Sequence, residues 1–224
     1  MKKISGSFGI KEICFTDRLV AAYFVYNAIS VIWLIKSGFP LGAYIRDFLV
    51  FLLPVLFYFA GRAVYTGKAE KLLRYFMIAA FMVGVICMLI SVTGAIGMRS
   101  ERWIAAVNNM YSTWLGNGLG ANGKGALGFE DAHVITDSDL VKMYCEQGII
   151  GFSMFLYILI LSFKKSFREL KEYRVELGII AAALILSIGT RIFTFPPAAI
   201  AFWFAVGAVF RSSVTEIGKA KVEV

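Results

Sequence analysis

Long apolar runs without charge limit what this chain can become. Leu19 to Ile35 contains no Asp, Glu, Lys or Arg. A helix needs about 20 mostly apolar residues to cross a bilayer, and in hydrocarbon each backbone N–H and C=O must find its partner inside the protein. Further runs follow at about 43–61, 75–96, 140–163, 177–195 and 198–210, the last two divided by Pro196 and Pro197, which stop a helix. With 59% hydrophobic residues and a mean hydropathy of +0.74, the expected fold is all-α. It is a polytopic integral membrane protein with about six transmembrane helices.

Basic residues set the expected orientation. The connections at 1–18, 62–74, 164–174 and 211–224 hold most of the 23 Lys and Arg. With six spans these connections share one side, which the positive-inside rule makes cytoplasmic, with both termini. The net charge of +8 therefore reads as bilayer flanking and not as nucleic-acid binding. No small-residue cleavage site follows the first run, which reads as an uncleaved helix. The expected divisions are a cytoplasmic tail 1–18, helices one to three in 19–96, an external glycine-rich loop 97–138, helices four to six in 139–211 and a cytoplasmic tail 212–224. A bacterial inner membrane is the expected location.

The remaining basic residues fall toward the outer side: Lys36, Arg46, Arg99, Arg102, Lys124, Lys142 and Arg191. Arg46, Lys142 and Arg191 lie in or at the edge of apolar runs, where a charge is costly and marks function or an ion pair. Asp47 adjoins Arg46, and Glu146 lies one helical turn beyond Lys142, so ion pairing is open for both. Arg191 has no acidic neighbour in sequence.

The external loop opens on an amphipathic pattern over about 100–115. Trp103, Val107, Met110 and Trp114 share one helical face, suited either to the membrane interface or to packing on the bundle. Glycines then crowd Gly116 to Gly128. Gly118, Gly120 and Gly123 satisfy GxGxxG, and Gly118, Gly123 and Lys124 satisfy GxxxxGK, but no strand precedes and no helix follows directly, so nucleotide binding is set aside. Glycines let a backbone approach a ligand and turn N–H groups toward an anion; a plain connector is the alternative. His133, the only histidine, follows, then Asp137 and Asp139, which equally suit a helix N-cap. Three cysteines in no CxxC pattern and one histidine give no metal-ligand set, so no metal and no cofactor are expected.

The run WLGNGLG from Trp114 to Gly120, followed by DSDLVKMYCEQGIIG from Asp137 to Gly151, resembles the O-antigen ligase and polysaccharide polymerase superfamily. Arg102–Trp103, the glycine loop, and Glu146, Gly148 and Gly151 match its pattern, and Arg46–Asp47 resembles its arginine before a span. The position that is histidine in ligases is Asp137 here, closer to the polymerase branch. The resemblance implies glycosyl transfer outside the membrane from an undecaprenyl-pyrophosphate-linked glycan, without metal. Arg46, Arg99, Arg102, Lys142, Arg191, Gly118, Gly120 and Glu146 would hold the substrate, and Asp139, His133 or Asp137 would serve the acceptor hydroxyl. Two other readings stay open. One is a non-catalytic or split member completed by a partner chain with further helices, since family members have more spans. The other is a small transporter lined by Lys142 and Arg191.

Overall fold

The computed structural model describes residues 14–63, 97–129 and 133–211, with positions 75, 78, 79, 82 and 86 between them. Most of the third expected span, and most of both tails, lies outside the described residues. Those described form helices and loops, with no strand. Among the described residues, three helical stretches are long and apolar enough to cross a membrane: Phe15–Lys36, Leu41–Ala63 and Asp139–Arg168.

The first stretch is α1 (Phe15–Ile29) and α2 (Val31–Lys36), divided at Ser30. The Ser30 hydroxyl donates to the Asn27 carbonyl at 2.7 Å, drawing the chain off its helical path. The second is α3 (Leu41–Asp47), a π turn (Phe48–Leu52), a 3₁₀ turn (Leu53–Leu56) and α4 (Phe57–Ala63). Pro54 explains the irregularity. It has no N–H and its ring crowds the carbonyl four residues earlier, so the helix opens before it and tightens around it.

The amphipathic helix is α5 (Gly97–Asn108), shorter than the expected 100–115. Trp103 and Met110 pack with Ala106, Ile135 and Cys145, while Trp114 stands outside the helix and is exposed. Next come α6 (Asp139–Arg168), α7 (Leu170–Gly189) and α8 (Pro196–Val209). The two prolines occupy the first turn of α8, where a missing N–H costs nothing.

Apart from its first two prolines, α8 is buried on nearly all sides, as a helix apolar all round should be. Its Phe202 and Trp203 meet Phe193, Phe155 and Tyr23, with the Phe193 and Phe202 rings 4.8 Å apart. Against α4 the contact is backbone to backbone. A Cβ on Gly207 would stand 2.8 Å from the Tyr58 carbonyl carbon, and one on Gly61 2.9 Å from the Ala208 nitrogen. Small residues on facing helices permit this close backbone approach.

Candidate functional site

The fourth expected span is not one continuous helix. Gly148 interrupts α6 at φ 61° and ψ −170°, a region open essentially to glycine. A break leaves backbone groups without helical partners, and here the glycine-rich segment fills it. Asn117 N–H donates to the Cys145 carbonyl and Gly118 N–H to the Glu146 carbonyl, both at 2.9 Å. In return, Ile149 N–H donates to the Thr113 carbonyl at 2.9 Å and Ile150 N–H to the Trp114 carbonyl at 3.2 Å. The Tyr26 hydroxyl takes the Gln147 carbonyl at 2.6 Å. Buried irregular backbone needs such partners, because an N–H or C=O left unpaired away from water is costly.

This contact explains the glycines. A Cβ on Gly148 would lie 2.5 Å from the Gly116 nitrogen, one on Gly118 2.5 Å from Leu34 Cβ, and one on Gly120 2.6 Å from the Ala43 carbonyl carbon. Residues 116–123 are buried. Gly118 and Gly120, expected to bring the backbone close to a ligand, lie close against α2 and α3, and Gly118 N–H is bonded to α6. Leu119 N–H donates to the Ser30 hydroxyl at 3.1 Å, so the kink in the first stretch receives the same segment.

Under this segment lies a buried ion cluster. Lys142 Nζ pairs with Asp47 Oδ2 and lies 3.4 Å from Glu146 Oε2. The pairing of Lys142 with Glu146 follows the expected helical spacing. Asp47, expected beside Arg46, is spent on Lys142, and Arg46 is exposed. Glu146 Oε1 accepts from Asn122 N–H at 3.0 Å, and the Asn122 amide donates to the His133 carbonyl at 2.8 Å. His133 thus joins the network through its backbone. A buried ion pair is weak evidence of stability, yet removing one partner strands the other charge. Lys142, Asp47 and Glu146 lock α3 to α6.

The aspartates divide their roles. Ser138 is the N-cap of α6, its hydroxyl accepting from Val141 N–H at 3.3 Å. Asp137 Oδ1 accepts from the Trp103 indole at 2.9 Å and ties α5 down. Asp139 is buried, and its carboxylate accepts from Phe193 N–H and from Thr194 N–H and hydroxyl. Its own N–H donates to the Thr190 carbonyl at 3.1 Å. Asp139 thereby straps the turn 190–195 onto the start of α6. That turn carries Arg191, which the sequence places inside a span and the structure places between α7 and α8. Arg191 is partly buried, lies within electrostatic reach of Asp139, and its Nε is buried without a hydrogen-bond partner among the described residues.

Arg102 is exposed on α5, and Arg99 lies in that helix's first turn. No group of three or more potential metal ligands occurs among the described residues. Asn117, Asn122 and Tyr26 were not singled out from the sequence, and Asp47 was read only as a neighbour of Arg46. The Asn–Gly pairs at 117–118 and 122–123 were the available signal for the two asparagines.

Among the described residues, fold and site define an all-helical architecture in which three long apolar helices fit a membrane protein. No family model, curated protein or solved structure matches it.

Proposed function

We propose that this protein is a membrane glycosyltransferase of the O-antigen ligase and polymerase type, acting on an undecaprenyl-pyrophosphate-linked glycan at the outer face of a bacterial inner membrane. The reading includes six spans, cytoplasmic termini and an outward-facing 97–138 segment. The observation that carries it is Arg191, whose buried Nε has no acceptor among the described residues. A guanidinium held in place with an unspent donor suits a phosphate oxygen, and it stabilises charge that develops as a pyrophosphate leaves. Exposed Arg46 and Arg102 supply further cations.

The acceptor hydroxyl attacks the anomeric carbon, the bond to the pyrophosphate oxygen breaks, and a carboxylate or imidazole takes the hydroxyl proton. The carboxylate of Asp139 is already engaged by three donors, which favours a positioning role. Half-buried His133 and Asp137 are better placed to meet an acceptor. Lys142 and Glu146 act as the frame beneath them. A non-catalytic or split-partner form of the same family remains the second reading, since the six-span reading falls short of the family's span count. A small transporter lined by Lys142 and Arg191 is the third reading.

The test compares Arg191→Ala and Arg191→Lys for membrane protein level beside lipid-linked glycan consumption. Loss of consumption at normal level in both supports the reading, because an ammonium lacks the planar fork. Low abundance with normal activity per molecule removes Arg191 from the site.

A further inference from the structure

A seam of polar side chains joins α1 to α6 just before the break at Gly148. Asn27 Nδ2 donates to the Tyr23 carbonyl, one helical turn back, at 2.9 Å. The Tyr23 hydroxyl donates to Gln147 Oε1 at 3.2 Å, and the Asn27 amide lies against the same hydroxyl. All three residues are sealed from solvent, at most 1% exposed. The Tyr23 ring packs on Phe155 and Trp203, so the surroundings are otherwise apolar.

Two polar atoms of this seam are left over. Asn27 Oδ1 is an acceptor and Gln147 Nε2 a donor, and neither has a hydrogen-bond partner among the described residues. Both belong to amides that meet one hydroxyl, so they surround a common point. The adjoining carbonyls of Glu146 and Gln147 are already taken by Gly118 N–H and the Tyr26 hydroxyl. A buried amide atom without a partner bears the full loss of its hydration. The chemistry of the pair states what satisfies it. A metal or ammonium ion cannot accept from Nε2, and an anion has no proton for Oδ1. Only a group that both donates and accepts serves the two together, and in a closed interior the smallest such group is water.

We propose that Tyr23, Asn27 and Gln147 bind one internal water that bridges α1 to α6. The water donates to Asn27 Oδ1 and accepts from Gln147 Nε2. Its second proton goes to the Tyr23 hydroxyl oxygen, which completes the set of bonds usual for a buried water. None of the three residues is assigned to the glycan, so the site does not depend on that reading.

The full chain in lipid nanodiscs is given a brief X-ray exposure, and oxidised residues are read by mass spectrometry. Radiolysis of a bound water leaves a hydroxyl radical beside its partners, where a scavenger in bulk solution does not reach. With scavenger present, Tyr23 is oxidised and exposed Tyr111 is protected. Tyr58, equally buried but with its hydroxyl spent on Asp17 at 2.7 Å, stays unmodified. The double variant Asn27→Leu with Gln147→Met replaces both amides by apolar side chains of similar length, and Tyr23 oxidation is lost. Far-UV circular dichroism checks that its helices are kept; should it misfold, Tyr23 against Tyr58 in the wild type decides alone. Unmodified Tyr23 in the wild type overturns the site. Oxidation of Tyr23 that persists in the folded double variant overturns the two amides as its ligands.

Discussion

Replacing Gly148 with alanine tests the break in α6 at a single methyl group. Two costs arise. The φ of 61° with ψ −170° is a glycine-only conformation, worth about 1–3 kcal/mol of strain to any other residue. The new Cβ also meets the Trp114 carbonyl carbon and the Gly116 nitrogen, each at 2.5 Å, and backbone cannot swing aside as a side chain does. If 113–118 moves out, four backbone hydrogen bonds across the break are lost, at about 1 kcal/mol each. Gly148→Ala therefore costs between about 2 kcal/mol, with the segment held in place, and about 6 kcal/mol, with it released. The control is Gly178→Ala in α7, where a Cβ meets nothing within 4 Å and helix propensity predicts a gain of about 0.5–1 kcal/mol. Unfolding in a mixed detergent–denaturant series, followed by far-UV circular dichroism, measures both. A loss below about 1 kcal/mol for Gly148→Ala would refute the threaded break and return α6 to a continuous helix.

Three further outcomes follow from the same geometry. Lys142→Met leaves the Asp47 and Glu146 charges buried without their cation, so thermal stability in detergent falls by about 3–5 kcal/mol. The triple variant with Asp47→Asn and Glu146→Gln recovers most of that, and no recovery sinks the cluster. Asp139→Ala strands the Phe193 and Thr194 N–H groups at about 1–3 kcal/mol, and trypsin sensitivity at Arg191 rises; unchanged cleavage argues against the strap. In a background without native cysteines, Leu127→Cys, at a position 64% exposed, reacts with an impermeant thiol reagent in intact cells. Ala121→Cys, at a position fully buried, stays silent, and labelling of a cysteine at 164–174 in place of 127 inverts the orientation.

Local spacing made parts of this architecture legible. Lys142 and Glu146 stand four residues apart, so their pairing was open to view. Asp47 joins them from 95 positions away, a distance that no local pattern encodes. The glycines announced a close approach, yet not its partner, because a ligand and the chain's own broken helix demand the same missing Cβ. The break at Gly148 was hidden for a related reason. An apolar run reads as continuous helix whether its backbone bonds close within it or onto an inserted loop. Ser138 took the cap expected of Asp137 or Asp139, which freed Asp137 for Trp103 and Asp139 for the 190–195 turn. Asp17 and Arg62, paired at 2.8 Å, lie 45 residues apart, and each reads alone as an ordinary helix-end charge.

The most direct test of the proposed function is reconstitution. Purified chain in lipid vesicles receives undecaprenyl-pyrophosphate-linked glycan and an acceptor glycan, and released undecaprenyl pyrophosphate is quantified by liquid chromatography and mass spectrometry. Release by wild type without added nucleotide, matched by growth of the acceptor and lost in Arg191→Ala, is the predicted result. No release by a folded wild-type chain, or equal release by Arg191→Ala, would contradict it.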